Sequence, residues 1–211
     1  MVTKPVQYID QLVTALSGLD TELLERLAQK LVETCVAGRT VFVCGNGGSA
    51  STASHLATDL TKLAVPADAE RRLRCMALTE STSTITAVGN DLSYDDVFVE
   101  QLQTWMTPGD VLIGISTSGS SPNVLRAVEY ANRNGGFTVG ITGSRGHDLR
   151  RLAHETVVIG STSVQRVEDI SMIAAHLLVL LTKDACGAAV DSGSAGVVEI
   201  ARGGSRAGEA A

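Results

Sequence analysis

The chain has few aromatic residues and no excess of positive charge. Aromatic side chains make up 3% of its 211 residues, and the formal net charge is −6. Proteins that bind nucleic acids usually present a basic surface, and those that bind single strands add aromatic side chains on which bases stack. The composition therefore argues against a nucleic-acid partner and fits a small polar ligand better.

Long apolar runs are also lacking. The first residues, MVTKPVQYIDQ, contain no apolar signal-peptide core, and no run of apolar residues reaches the roughly 20 that a bilayer requires. We expect a cytoplasmic protein.

The cysteines form no recognisable framework. Cys35, Cys44, Cys75 and Cys186 are scattered without a CxxC pair, so the pattern favours neither disulfides nor a thiolate zinc site. They are predicted to be small buried hydrophobic residues.

Apolar periodicity predicts the fold class. Apolar residues at intervals of three and four residues between Ile9 and Val36 predict two helices that part near Gly18 and Asp20. Five short apolar runs then alternate with helical stretches, at residues 40–44, 73–78, 110–115, 137–142 and 156–159. Because these runs do not alternate with polar residues, they predict an α/β three-layer sandwich, with a five-stranded parallel sheet flanked by helices.

The length and the 44% hydrophobic content fit one domain. Residues 1–38 are predicted to be an N-terminal helical segment that packs on this domain and takes part in oligomer contacts. Residues 39–186 form the α/β domain itself, closed by a long helix over about 164–182. Residues 187–211 are rich in small residues and are predicted to be a disordered tail.

Two polar loops follow predicted strands. Residues 44–51 read CGNGGSAS, and residues 116–123 read STSGSSPN. Ligands bind beyond the carboxyl ends of the strands in an open parallel sheet. Glycines allow close approach to an anion at the next helix, and hydroxyl groups hold phosphate or sugar oxygens. Either loop alone is equally an ordinary turn, but two of them favour a phosphorylated sugar.

A dinucleotide site is the competing interpretation. Gly45, Gly47 and Ala50 satisfy the relaxed GxGxxA pattern, which requires an acidic residue about 20 residues further on. Glu80 lies 35 residues beyond Gly45, and no lysine follows the glycines as in a triphosphate-binding loop. A sugar phosphate remains the better fit.

Two pairs of polar residues have the spacing of metal ligands. His55 and Asp59 are four residues apart, and Glu168 and His176 are eight residues apart, so each pair lies on one helix face. Two carboxylates and two imidazoles form a plausible zinc set. The same spacing also occurs in ordinary helix-surface pairs.

Four segments together resemble the SIS (sugar isomerase) domain family, and more narrowly its phosphoheptose isomerases. They are CGNGGSASTASHLATDL, VGND at 88–91, GISTSGSSPNVLRA and QRVEDISMIAAHLL, and the resemblance spans roughly residues 8–184. It implies a homotetramer with active sites at subunit interfaces. It also implies the interconversion of sedoheptulose 7-phosphate and D-glycero-D-manno-heptose 7-phosphate through an enediol.

The resemblance also implies roles for individual residues. One zinc ion per site is expected on His55, Asp59, Glu168 and His176, with His176 as the acid. The expected substrate-binding residues are Asn46, Gly47, Ser49, Asp91, Ser116, Thr117, Ser118, Ser121 and Glu168.

Two departures from the family pattern leave the base open. Asp59 replaces the usual glutamate, and Glu168 replaces the usual glutamine, so either carboxylate is a candidate for the base. Gln165 stands where relatives often carry an aspartate. The basic residues Arg71, Arg72 and Arg74 are interpreted as a solvated face. The domain also occurs in non-catalytic adaptors and sugar-phosphate sensors, which remain the alternative function.

Overall fold

The structure, a computed structural model, describes residues 4–65 and 72–191, with side chains up to residue 187. The helices are α1 (Pro5–Leu16), α2 (Thr21–Val36), α3 (Gly48–Leu63), α4 (Thr82–Asp91), α5 (Val99–Trp105), α6 (Pro122–Arg133), α7 (His147–Leu152) and α8 (Val164–Asp191). The strands are β1 (Thr40–Gly45), β2 (Arg74–Ala77), β3 (Val111–Ile115), β4 (Phe137–Gly143) and β5 (Glu155–Ile159).

The strands form one parallel sheet in the order β2-β1-β3-β4-β5. In register, Val41 of β1 lies opposite Val111 of β3. The chain builds outward in both directions from these two strands, so their carboxyl ends form the topological switch point at which open α/β sheets bind ligands. The predicted five-stranded parallel sheet is confirmed.

Helices cover both faces of the sheet. Val41 and Val43 of β1 belong to a core cluster with α2, α3 and α8. Phe42 and Cys44, which alternate with them, belong to a second cluster with α5, α6 and α7. This arrangement explains why the strands are apolar on both sides, and it confirms the three-layer sandwich.

Several element boundaries differ from the predicted ones. The Asp20 side chain caps α2 by accepting a hydrogen bond from Leu23 N at 2.9 Å, as the predicted break suggests. The helical stretch predicted after the second strand is divided, because a 3-10 turn (Tyr94–Asp96) separates α4 from α5. Helix α8 continues past residue 182 to residue 191. The rest of the tail predicted to be disordered, residues 192–211, lies outside the described residues.

The N-terminal helix α1 is fastened to α8 by polar contacts. The Tyr8 hydroxyl donates a hydrogen bond to Asp169, and Arg166 Nη1 donates to Gln11 Oε1 at 2.6 Å. Arg166 also lies over the Tyr8 ring. These contacts attach α1 to the α/β domain.

Helix α8 is long and apolar enough to cross a membrane, by length and composition alone. An 18-residue window within Val164–Gly187 has a mean hydropathy of 1.4, although charged residues interrupt the segment and no uninterrupted apolar run reaches about 20 residues. Its residues Val167, Ile170 and Ala174 are buried in the core cluster with α2 and α3. These contacts are typical of the core helix of a globular domain.

Three of the four cysteines are buried as predicted. Cys35, Cys44 and Cys186 lie in the core, whereas Cys75 on the edge strand β2 is partly exposed. Burial raises the pKa of the Cys44 thiol to about 12.

The buried Cys44 thiol predicts a loss of stability at high pH. An unfolded cysteine ionises near pH 8.5, whereas folded Cys44 stays neutral until its raised pKa of about 12. Its contribution is therefore complete below about pH 8.5 and is lost as the pH rises toward 12. We expect the stability advantage of the wild type over Cys44→Ala to narrow between about pH 7 and about pH 10.5, measured by urea unfolding. An advantage independent of pH would contradict this prediction.

Candidate functional site

The turn between β1 and α3 is stabilised by a pair of hydrogen-bonded asparagine side chains. Gly47 precedes α3 with φ +55°, a conformation that favours glycine. The side chains of Asn46 and the buried Asn123 exchange two hydrogen bonds of 2.9 Å. Asn46 Oδ1 also accepts from the Tyr94 hydroxyl at 3.0 Å. Asn123 ends the STSGSSPN segment, but neither it nor Tyr94 was predicted, because their pairing depends on the tertiary fold.

The loop between β3 and α6 is organised by its own hydroxyl groups. Ser116 Oγ accepts a hydrogen bond from Gly119 N at 3.1 Å and lies 3.0 Å from Ser121 Oγ. Ser118 Oγ accepts from the amide and the hydroxyl of Ser120 at 3.3 and 3.1 Å. The loop therefore presents several preorganised hydroxyls at the end of β3.

These two loops border a pocket of about 460 Å³. It is lined by Asn46, Ser49, Ile115, Ser116, Thr117, Ser118, Ser120, Ser121, Arg145, Ser161, Thr162 and Val164. The structure thus brings together six of the residues predicted to bind substrate: Asn46, Ser49, Ser116, Thr117, Ser118 and Ser121. Ser120 belongs to the predicted hydroxyl-rich loop, whereas Arg145, Ser161 and Thr162 were not predicted.

Three of the residues predicted to bind substrate do not line this pocket: Gly47, Asp91 and Glu168. Gly47 contributes backbone to the turn beside it. Asp91 is exposed at the end of α4, where its Oδ1 accepts from Asn90 Nδ2 at 2.7 Å. Gln165, which was not among the predicted substrate-binding residues, is also exposed, and its Oε1 accepts from Ser163 Oγ at 3.2 Å.

A histidine and carboxylate group joins α3 to α8. His55 Nε2 lies 3.2 Å from Asp59 Oδ2 and 2.9 Å from His176 Nε2. The ligand atoms of these three residues all lie within 4.8 Å of one another. Two imidazoles and one carboxylate form a donor set that catalytic zinc sites use, with a further position left for water or substrate. The three side chains therefore fit a zinc ion.

Glu168 stands apart from this group. Its carboxylate lies against Gly48 in the first turn of α3, where an added Cβ would collide with the carboxylate oxygens. The positive end of the helix dipole favours a carboxylate there. Gly48 is next to Ser49, which lines the pocket, whereas His55 is about 10 Å further along the helix by its rise per residue. Of the four predicted zinc ligands, the structure groups three and places Glu168 nearer the pocket.

Comparison with known proteins identifies the family of this chain. The SIS domain family matches residues 6–143. A phosphoheptose isomerase of Akkermansia muciniphila is 38% identical over 163 residues, covering 76% of this chain and 84% of that protein. One of Rhodospirillum rubrum is 42% identical over 149 residues, covering 71% and 78%. The chain belongs to the phosphoheptose isomerase group of the SIS domain family.

Solved structures extend the SIS domain assignment to three dimensions. The phosphoheptose isomerase of Neisseria gonorrhoeae aligns with a TM-score of 0.78 and 27% identity, over 85% of this chain and 96% of that one. That of Francisella tularensis aligns with the same TM-score of 0.78 and 26% identity, over 86% and 100%. The sugar isomerase domain of an RpiR transcription factor from Sphaerobacter thermophilus, at 20% identity and a TM-score of 0.56, shares the fold alone.

The basic cluster of this SIS domain lies away from the pocket. Arg72 Nη2 donates to the carbonyls of Thr61 and Lys62 at the end of α3, at 3.0 and 3.2 Å. Arg74 donates to the Gly38 carbonyl. Both arginines are exposed, in agreement with the predicted solvated face, and Arg72 also caps the carboxyl end of α3. Arg71 lies outside the described residues.

Proposed function

We propose that the protein is an aldose-ketose isomerase that interconverts sedoheptulose 7-phosphate and D-glycero-D-manno-heptose 7-phosphate. The observation that carries this proposal is a hydroxyl-lined pocket at the strand ends, with the Glu168 carboxylate beside its Ser49 edge. The names of its relatives support the same reaction and the same seven-carbon substrate. The sugar carries a phosphate at one end, which matches the hydroxyl groups of the pocket. Near its other end it loses a proton from carbon, which matches the Glu168 carboxylate.

In this proposal the two loops divide the substrate between them. Ser116, Thr117, Ser118 and Ser121 bind the phosphate, since hydroxyl donors suit its oxygens. Asn46 and Ser49 contact the sugar chain, and the Gly47 turn lets the backbone approach it. Asp91 does not line the pocket. It contacts a substrate only if the end of α4 moves, or if that substrate is bound to a second subunit.

We assign proton transfer at carbon to Glu168. The carboxylate takes the proton from the carbon beside the carbonyl and returns it to the neighbouring carbon, while a proton moves between the two oxygens. Asp59 is the weaker candidate, because its Oδ2 is held 3.2 Å from His55 and its side chain is one methylene shorter than glutamate. His176 is the proposed acid that serves the oxygens.

A zinc ion held by His55, Asp59 and His176 would polarise a substrate oxygen and so ease proton loss from the adjacent carbon. We expect one zinc per chain in wild type, and loss of this zinc in His55→Asn and His176→Asn, measured by metal analysis after dialysis against zinc. His147→Asn, an exposed histidine on α7, is the matched control. Because Glu168 lies outside the three-residue group, Glu168→Ala, which removes every ligand atom of the side chain, should keep its zinc. Zinc loss in Glu168→Ala would instead support the four-ligand set.

We further propose a cytoplasmic homotetramer with sites at subunit interfaces. Val6, Ile9 and Val13 form an exposed apolar face on α1, and the two histidines of the metal group are exposed in the single chain. Burial of both features in an assembly would remove apolar surface from water. The molar mass of the purified protein, measured by light scattering after size-exclusion chromatography, should be four times the chain mass of 22.0 kDa.

The reaction itself is tested with zinc-loaded protein and sedoheptulose 7-phosphate in deuterated water. Proton NMR should show an aldoheptose phosphate that carries deuterium at C2, because the transferred proton exchanges with solvent on the base. Binding without conversion or exchange would favour the sensor or adaptor function instead. The unphosphorylated ketose is the control, and it should turn over far more slowly because it lacks the phosphate contacts.

A further inference from the structure

The pocket contains one charged side chain. Among the described residues that line it, Arg145 alone carries a charge, and the other polar ones are neutral hydroxyls and an amide. A phosphate monoester carries nearly two negative charges at neutral pH, since its second pKa is about 6. Neutral hydroxyls can hold its oxygens, but they leave this charge without a counterion.

The loop that carries Arg145 is fixed by its neighbours. Gly143 N donates to the Thr117 carbonyl at 3.2 Å, and Ser144 N donates to the Ser161 carbonyl at 3.0 Å. These bonds attach the loop after β4 to the loops after β3 and β5. The backbone next to Arg145 is therefore positioned by the neighbouring loops.

Gly119 and Gly146 allow the loop after β3 and the loop after β4 to pack closely. Gly119 has φ +66°, and a Cβ on it would collide with the backbone of Gly146. Leu149 N donates to the Gly119 carbonyl at 3.0 Å. This close approach holds the Arg145 loop against the serine loop.

The guanidinium group has donors to spare. Its Nη2 donates to the Thr162 carbonyl at 3.2 Å, at the wall of the pocket. A guanidinium has five N–H donors, and its planar fork matches two oxygens of a phosphate. One bond therefore anchors the group, and the remaining donors are available to an anion.

We infer that Arg145 is a phosphate-binding residue, which supplies the charge that the serine loop lacks. The identity of the natural ligand as a sugar phosphate rests on the proposed function. The binding of phosphate itself does not, because it follows from the charge and hydroxyls of the pocket.

Calorimetric titration with inorganic phosphate tests the inference without turnover. We expect Arg145→Gln to weaken phosphate binding about tenfold, as for loss of a charge-assisted hydrogen bond. Arg145→Lys should recover part of the affinity, because it restores the charge without the planar fork. Arg151→Gln is the matched control, since Arg151 is exposed on α7 and pairs only at the surface with Asp148 at 3.4 Å.

Salt dependence separates a binding role from a structural one. Phosphate affinity should fall more steeply with salt in wild type than in Arg145→Gln, because added ions screen the removed charge pair. If Arg145 merely holds the loop through Thr162, the variant would lose thermal stability and keep the wild-type salt slope. That result, or equal phosphate affinity in Arg145→Gln and wild type, would overturn the inference.

Turnover distinguishes this inference from the proposed function. With sedoheptulose 7-phosphate, Arg145→Gln should raise KM about tenfold and leave kcat within about threefold, because the phosphate is remote from the reacting carbons. Phosphate binding that depends on Arg145, in a wild-type protein that does not isomerise this sugar, would refute the proposed reaction and support the inference. If the wild type isomerises the sugar and Arg145→Gln has the same KM as wild type, the proposed reaction is supported and the inference is refuted.

Discussion

Glu168→Gln is expected to lower kcat by on the order of 10³-fold, because an amide cannot accept the proton that leaves carbon. The assignment rests on the position of Glu168, whose carboxylate lies against Gly48 at the pocket end of α3. Asp59, the other candidate, is already engaged by His55. Initial rates at saturating sugar phosphate, in zinc-loaded protein, measure the effect on kcat.

A double variant provides the matched control. Relatives usually carry glutamate and glutamine at the positions of Asp59 and Glu168, so Asp59→Glu combined with Glu168→Gln restores the family pattern. If the site needs one carboxylate of sufficient length, this double variant should recover activity to within about tenfold of wild type, because the longer side chain regains the reach that Asp59 lacks.

Asp59→Asn tests whether Asp59 acts as the base or only as a zinc ligand. We expect it to weaken zinc binding and to regain most of its activity when zinc is in excess. Near wild-type turnover in Glu168→Gln, together with an inactive zinc-loaded Asp59→Asn, would show that Asp59 is the base.

Gly48→Ala should lower kcat on the order of 100-fold and leave the protein stably folded. The new Cβ would occupy the space of the Glu168 carboxylate, and a displacement of about 1 Å in a catalytic group can cost this much. Stability should not suffer, since the carboxylate is the end of a flexible side chain and alanine is a better helix former than glycine. Turnover and thermal unfolding of the same sample measure the two effects.

Gly89→Ala is the control for the substitution itself. Gly89 also lies in a helix, α4, and a Cβ there meets only ordinary contacts at 3.9 Å or more. Combining Gly48→Ala with Glu168→Gln should lower kcat no further than Glu168→Gln alone, because both act through one carboxylate. Additive losses would mean that Gly48 affects the site by another route.

The sheet could be predicted closely because burial on both faces leaves a clear mark on the sequence. The predicted runs 40–44 and 137–142 differ by one residue from β1 and β4. The break between α4 and α5 was missed because Ser93 caps the 3-10 turn through its Oγ, a local competition that apolar spacing does not reveal. The end of α8 was missed because the small residues after 182 carry no periodic signal.

Only those parts of the site that lie in continuous sequence motifs could be predicted. The serine loop and the glycine turn are continuous segments, so they could be recognised. Arg145 could not, because a lone arginine in a loop gives no signal until the loops after β3, β4 and β5 are packed together. The separation of Glu168 from His55 likewise depends on how α3 lies beside α8, which spacing along either helix leaves open.

The core on one face of the sheet is completed by elements from both ends of the chain. Leu27 and Leu31 of α2 share a buried cluster with Ile170 and Ala174 of α8. Synthesis delivers α2 early and α8 last, so the apolar face between them stays uncovered while the sheet is being made. Contacts so distant in sequence also slow folding. A chain that lacks α8 would therefore leave Leu27 and Leu31 without these apolar partners.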